Sequence, residues 1–199
     1  IAYYGKSEFL EDWGGNSTVG SFNWDTDTAS GGSVSSTQTF PIITDKQYGK
    51  IRYRVSATAA SRAGNDRGAA ELSIGGGEVK VVTNNWFSTE FINVSNNNEF
   101  QTGLGSNGSD ATATYQTDGV YFRVDADGSV YGVCSDGGVN SVSPSLGTLL
   151  TERWYRFEIV VNEAGSQAIF TVHETFQSAT PPLLIGTQLV STNLPPASA

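Results

Sequence analysis

Apolar and polar residues alternate along RWYRFEIVV, residues 153–161, and this alternation limits what the chain can fold into. Every second residue from Tyr155 to Val161 is apolar, whereas the residues between them include Arg156 and Glu158. A period of two with one polar side is typical of an antiparallel sheet that packs one face on a core. The segment KIRYRVSATAA, residues 50–60, alternates in the same way, so we predict that it is a strand of the same kind.

Signals for helices are nearly absent from the rest of the chain. No window of about a dozen residues has an apolar stripe of helical period. Gly, Ser, Thr and Asn interrupt the sequence about every ten residues, which is typical of a β-sandwich or barrel. Further strands are predicted at Ser33–Phe40, Glu78–Thr83, Phe91–Val94, Phe100–Leu104, Ala168–His173 and Leu183–Val190. The 199 residues suit one domain over residues 1–199, whose proline-rich tail, residues 192–199, cannot hold a central strand.

The segment DGVYFRVDADGSVYGVCSDGG, residues 118–138, predicts a hairpin. Asp127 and Gly128 suit a two-residue turn, because Asp-Gly tolerates the positive φ angles that such a turn needs. In that register one face collects apolar and aromatic residues: Val120, Phe122, Val124, Tyr131 and Val133. The other face collects Tyr121, Arg123, Asp125, Val130, Gly132 and Cys134. A slip of one residue moves every side chain to the opposite face, so we expect this register to be well specified.

Charge and composition exclude several classes of partner. The formal net charge is −9, and Lys and Arg are not clustered, so we predict no binding to nucleic acid. No run of about 18 apolar residues occurs, so we predict no membrane insertion. Cys134 is the single cysteine, which excludes an internal disulfide. The chain begins at Ile1 and contains no methionine, which leads us to expect that it is part of a longer product.

Motifs for metal or nucleophilic chemistry are weak. Two short acidic segments, around Asp25 and Asp27 and around Asp125 and Asp127, offer oxygen ligands for calcium, but neither has the further ligands of a calcium loop. We predict loops at both and no cofactor or metal, and calcium at either pair stays an open alternative. The single histidine, His173, is predicted to be a polar residue near a strand end, and Cys134 to be an unreactive thiol on the polar face of the hairpin.

Glycan chemistry is the remaining enzymatic option. Glycoside hydrolysis requires only two carboxyl groups about 5 to 9 Å apart. The alternating pattern E-x-D-x-E of sandwich glucanases does not occur in the chain, so we predict that the protein is not an enzyme. A tryptophan on a polar face, such as Trp154, can stack on a sugar, cover the edge of the sandwich or lie in a protein interface.

Four segments together resemble concanavalin A-like (lectin/glucanase-type) β-sandwich domains of bacteriophage and prophage virion proteins. They are TGLG (Thr102–Gly105), DGVYFRVDADGSVYGV (Asp118–Val133), TERWYRFEIVVNEAGSQAIFTVH (Thr151–His173) and TNLPP (Thr192–Pro196). The chain departs from these domains where His173-Glu174 replaces an Asn-Gly turn. It also stops at PPASA, before the final strand that such a sandwich has. The resemblance implies an all-β, antiparallel jelly-roll sandwich of two curved sheets with almost no helix.

The resemblance also implies a role. The protein is expected to be a non-enzymatic tail-fibre, tail-spike or capsid-surface component that lies on the virion surface. It is expected to form a homo-oligomer, to contact other virion proteins and to bind bacterial surface glycan. By fold-level analogy the glycan site lies on an outer sheet face; its predicted residues are Trp86, Tyr121, Arg123, Trp154 and Arg156. The alternative is a carbohydrate-binding module of a bacterial surface or secreted protein. The third reading, a glycan-cleaving enzyme, requires two carboxylates that face each other.

Overall fold

A computed structural model describes residues 77–89, 91–95, 98–105, 117–175 and 183–195. It also describes the course of the backbone at residues 25–29, 33–37, 50–54 and 62–66. The regular structure in these ranges is all β-strand, and no helix there is long and apolar enough to span a membrane.

The strands are short and follow one another closely along the chain. They are β1 Asp25–Ala29, β2 Ser33–Thr37, β3 Lys50–Arg54, β4 Arg62–Asp66, β5 Val79–Phe87, β6 Glu99–Gly105, β7 Gly119–Asp125, β8 Ser129–Asp136, β9 Val139–Val142, β10 Gly147–Thr148, β11 Arg153–Val161, β12 Ala168–Glu174 and β13 Leu183–Val190.

The chain divides into two units. Residues 1–71 and 108–114 form the first, in which β1 pairs antiparallel with β4, and β2 with β3. Residues 72–107 and 115–199 form the second, which contains strands β5 to β13. The single domain predicted for residues 1–199 stays a prediction.

Two antiparallel sheets make up the second unit. The five-stranded sheet has the order β10-β8-β7-β6, and β9 pairs with β8 on the same edge as β10. The four-stranded sheet has the order β13-β12-β11-β5. Both sheets contribute buried side chains to one hydrophobic core, which gives a sandwich-like architecture. The predicted all-β class with antiparallel sheets is therefore confirmed.

Aromatic rings join the two sheets at the centre of the core. Phe122 of the five-stranded sheet lies edge-on to Phe157 and Phe170 of the four-stranded sheet, with ring centroids 5.0 and 5.2 Å apart. All three rings are buried. Burial of one such side chain contributes about 1.5–3 kcal/mol, and the edge-to-face geometry adds to it.

Strands with clear alternation were predicted well. In β11, residues 155, 157, 159 and 161 are buried, whereas the residues between them are half-buried, as predicted. The bounds of β13 are those predicted, and β12 extends one residue beyond the prediction, to Glu174.

Two local predictions are wrong. The segment predicted as strand Phe91–Val94 is a turn, in which the amide of Phe91 donates to the carbonyl of Ser88 at 3.1 Å. Phe91 and Ile92 are apolar because they pack against the core from this turn. The segment around Asp25 and Asp27 was predicted as a loop, but its backbone forms β1.

The hairpin at residues 118–138 exists, but the predicted register is wrong by one residue. Val124 lies opposite Val130, and Val120 lies opposite Cys134. The loop has three residues, Ala126–Gly128, in which the amide of Gly128 donates to the carbonyl of Asp125 at 2.9 Å. Gly128 has φ of +84°, the left-handed conformation that closes a three-residue loop.

This register reverses the predicted faces of β8. Val130, Gly132 and Cys134 point into the core, whereas Tyr131 and Val133 share the outer face with Arg123. Gly132 fits there because the ring of Phe170 occupies the space that a side chain would need. The placement of Cys134 on the polar face is therefore wrong.

Candidate functional site

The five predicted glycan-binding residues lie on two different sheets. Trp86 is on β5, and Trp154 and Arg156 are on β11, so these three belong to the outer face of the four-stranded sheet. Tyr121 and Arg123 are on β7 and belong to the outer face of the five-stranded sheet. The expectation that both sets line one sheet is therefore wrong.

Tyr121 does not offer an exposed ring. Although it points away from the core, only 2% of it is exposed, and Val133 and Ser135 on the same outer face are fully buried. Because sugar stacking requires an accessible ring face, Tyr121 contributes to packing in this structure.

Arg123 is held by its neighbours on the same face. Its Nη2 donates to Oδ2 of Asp125 at 3.3 Å, and its Nε lies 2.9 Å from Oδ1 of the same carboxylate, an ion-pair distance. Its guanidinium also lies 4.9 Å from the ring centroid of Tyr131, a cation–π distance. In the adjacent turn, Oδ1 of Asp127 accepts a hydrogen bond from the Ser129 amide at 2.8 Å.

Two carboxylates face each other across the β6–β7 pair, at Glu99 and Asp125. Desolvation raises the pKa of the Glu99 carboxyl above its usual range, and a hydrogen bond from Gln101 and the charge of Arg123 oppose this rise. Directly opposed residues of an antiparallel pair have Cβ atoms about 4.5–5.5 Å apart. Sequence reasoning missed this pair because the two residues are 26 positions apart, and only the strand register brings them together.

The outer face of the four-stranded sheet carries a row of two tryptophans at one end. Trp86 on β5 lies directly opposite Trp154 on β11, and both are half-buried. In the next row Arg156 lies between Asn84 on β5 and His173 on β12. We refer to these five residues as the aromatic end of the outer face.

Charges connect the aromatic end to the middle of this face. Glu158 accepts from Arg156 Nη2 at 2.8 Å and from Lys80 Nζ at 2.9 Å. Desolvation alone would raise the pKa of Glu158, but the hydrogen bonds and charges of Lys80 and Arg156 outweigh it and hold the pKa below its usual range. Since Lys80 also neutralises Glu158, the aromatic end retains positive charge from Arg156.

Arg156 keeps donor capacity beyond this ion pair. Its side chain as a whole is 41% exposed, whereas its Nε atom is buried and has no hydrogen-bond partner among the described residues, so a ligand must bind through the other guanidinium nitrogens. A guanidinium presents five N–H donors in a fixed fork, and two or more of them can bind one oxyanion or a pair of hydroxyl groups.

The opposite end of the same face carries exposed aliphatic side chains. Ile169 on β12 lies there between Leu189 on β13 and Val160 on β11, and Lys80 on β5 completes this row. Val82 lies one row nearer the aromatic end, directly opposite Glu158. The face therefore has an aromatic and polar end and an aliphatic end, and the Lys80–Glu158 ion pair joins the last two rows.

Cys134 and His173 do not form a nucleophilic centre. Cys134 is fully buried in the core, and desolvation raises the pKa of its thiol to about 12. His173 lies on the outer face of the other sheet, opposite Arg156 and Leu184. It is the second-last residue of β12, so its predicted position near a strand end is confirmed. Among the residues whose side chains are described, no group of three or more His, Cys, Asp or Glu side chains could hold a metal ion.

The site contains two residues that sequence reasoning did not select, Asn84 and His173. The segment VKVVTNNWF of β5 lacks clean alternation, so its outward residues become identifiable only from the pairing with β11. Comparison of the chain with protein-family models and with curated proteins finds no match.

Proposed function

We propose that this protein is a non-enzymatic attachment component of a bacteriophage particle, a tail appendage or capsid-surface protein. It acts through protein–protein contacts and binds host surface glycan at the aromatic end of the four-stranded sheet. The observation that carries the glycan proposal is the Trp86–Trp154 cross-strand pair next to the row of Asn84, Arg156 and His173.

This arrangement has the chemistry that sugars require. A sugar ring has apolar C–H faces that pack on an aromatic ring, and a rim of hydroxyl groups that need donors and acceptors. The tryptophans supply ring surface, and Asn84, Arg156 and His173 supply polar groups on the same face. Extended strands hold all five residues, which keeps their spacing fixed and reduces the entropy lost on binding.

The particle role is supported by the resemblance to virion sandwich domains. The four resembling segments lie in the second unit, on β6, on the β7–β8 hairpin, on the β11–β12 hairpin and after β13. The same resemblance supports the concanavalin A-like, jelly-roll form of the sandwich. The outward location on the virion surface gives the aromatic end access to bacterial glycan.

Glycan binding is tested with surface polysaccharides extracted from candidate host bacteria, by biolayer interferometry on the full chain. Trp154→Ala is expected to weaken binding about tenfold or more, since central aromatic residues commonly contribute 2 kcal/mol or more. Ile169→Ala is the matched control, because it truncates a side chain at the aliphatic end of the same face. Equal binding by both variants, or no binding by the wild-type chain, contradicts the glycan proposal.

The particle role is tested separately. Antibodies against this chain are expected to label intact phage particles in electron micrographs, at the tail or on the capsid. Absence of labelling, with the chain found instead on bacterial cells or in the medium, supports the alternative of a bacterial carbohydrate-binding module.

One observation favours a second candidate, glycoside hydrolysis by Glu99 and Asp125. Their directly opposed positions on β6 and β7 bring both side chains to one face, where the two carboxyl groups can approach the short spacing that retaining glycosidases require. The raised pKa of Glu99 suits a general acid, and Arg123 keeps a cation next to Asp125, the candidate nucleophile. Release of reducing ends from the bound polysaccharide, lost in Glu99→Gln and kept in the surface variant Glu78→Gln, supports this activity. If the wild-type chain releases none, this candidate is excluded.

A further inference from the structure

β13 is an edge strand with exposed apolar side chains. Among the described strands it pairs with β12 alone. Leu183, Leu184 and Leu189 are 54%, 53% and 51% exposed. Proteins usually protect such edges with charged residues, proline or short length. β13 has eight residues, LLIGTQLV, and contains neither a charged residue nor a proline.

Charge distinguishes β13 from the other long edge strands of the second unit. β5 contains Lys80, and β6 contains Glu99. A strand that pairs antiparallel with its own copy brings like charges close together, which is destabilising. Each chain carries a net charge of −9, so two copies repel each other overall, and a contact that is itself neutral adds no further like-charge repulsion. A second copy of β13 brings no like charges together, keeps the contact neutral and has the same length as the strand with which it pairs.

The geometry of β13 also permits self-pairing. The pairing between β12 and β13 shifts register between Val172 and His173, near the start of β13. From Gly186 to Val190, β13 pairs regularly with β12. In an antiparallel pair centred on Gln188, Thr187 lies opposite Leu189 of the partner subunit, and both point to the outer face. Gly186 lies opposite Val190 of the partner subunit, and both point to the inner face.

We propose that two copies of this chain associate through antiparallel β13 strands about a two-fold axis. The two four-stranded sheets then form one continuous sheet of eight strands, an isologous interface of the commonest symmetry. The aromatic ends of both copies lie on the same side of this sheet, so a polymeric ligand can engage both with increased avidity. The pairing does not depend on the proposed glycan binding or on the particle role.

The test uses the mass of the full chain in solution. Light scattering on a size-exclusion column, over about 1 to 500 μM, covers the range expected for a small interface. The wild-type mass is expected to rise from 21.1 kDa toward about twice that value. Thr187→Lys with Leu189→Lys places like charges opposite each other and is expected to keep the chain at the monomer mass.

Two variants control for the added charge. Val94→Lys adds a lysine at an apolar site that is 73% exposed and lies outside β13, and it is expected to dimerise as the wild type does. Thr187→Lys with Leu189→Glu places opposite charges across the two-fold axis and is expected to retain the dimer. Circular dichroism verifies that each variant folds. The proposal is overturned if the wild-type chain stays at the monomer mass or if the double-lysine variant still dimerises. Loss of the dimer in the Lys/Glu variant overturns the register centred on Gln188.

Discussion

Gly132→Ala tests the register of the β7–β8 hairpin and the close contact between the two sheets. A Cβ built on Gly132 lies 2.9 Å from Cδ1 of Phe170 and closer still to Cγ and Cδ2. Ordinary contact begins at about 3.4 Å, so the ring or the β8 backbone must move by about 1 Å. Phe170 is fully buried and packs edge-on against Phe122, so it has no free space to move into.

The expected cost of Gly132→Ala is about 3 kcal/mol, at the upper end of typical overpacking costs. For a chain of about 200 residues this corresponds to a fall in Tm of about 6–12 °C. The assay is urea denaturation followed by tryptophan fluorescence, with calorimetry for Tm. Gly77→Ala is the matched control, because no described atom lies within 4 Å of a Cβ at Gly77. That variant is expected to change stability by less than about 0.5 kcal/mol.

A second substitution separates the steric cause from others. Phe170→Leu removes part of the ring, so Gly132→Ala is expected to cost at least about 1 kcal/mol less in that background than in the wild type. If Gly132 pointed outward, as the two-residue turn required, its substitution would cost little in either background. An equal cost in both backgrounds, or no cost in the wild type, refutes the steric reasoning.

Three further predictions follow from single side chains. Cys134 is expected to resist thiol reagents at pH 8 in the native state, since a pKa of about 12 leaves about one thiolate in ten thousand; rapid labelling contradicts its burial. Tyr155→Phe removes hydrogen bonds to the amide and carbonyl of Leu150, at 2.7 and 3.2 Å, and is expected to lower the urea midpoint by an amount equivalent to about 1 kcal/mol; an unchanged midpoint shows that water replaces them. Glu158 has a pKa lowered from 4.5, so its ion pairs stabilise the fold above that pH and are lost as the pH falls through the folded-state pKa. The Tm difference between wild type and Glu158→Gln is therefore expected at pH 7 and to shrink progressively as the pH is lowered below 4.5; a constant difference contradicts this linkage.

The sequence predicts strands well where one face is apolar and the other is charged. In β11, the charges of Arg156 and Glu158 allow only one orientation, and the structure has that orientation. In β8, neither orientation is forbidden, because Val130 and Cys134 are as apolar as Tyr131 and Val133. Loop length then decides the register, and the dipeptide Asp-Gly is compatible with loops of two or three residues. Single-sequence alternation could not choose between them.

The candidate site could be predicted only in part, for a related reason. Trp154 and Arg156 belong to one well-patterned strand, so their shared outer face was predictable. Assigning Tyr121 to the same surface required knowledge of which sheet each strand joins. That assignment depends on long-range pairing between strands such as β5 and β11, which local sequence does not encode.

The two outer faces of this sandwich have different physical constraints, and this difference narrows where binding can occur. On the five-stranded sheet, Tyr121 and Val133 are buried although they point away from the core, so changes there act first on stability. On the four-stranded sheet, the tryptophans are half-buried and Arg156 is substantially exposed, although strands fix their positions. A binding surface requires both a fixed geometry and access to the ligand. The four-stranded face combines the two, and pairing through its neutral edge at β13 would enlarge this face without covering the aromatic end.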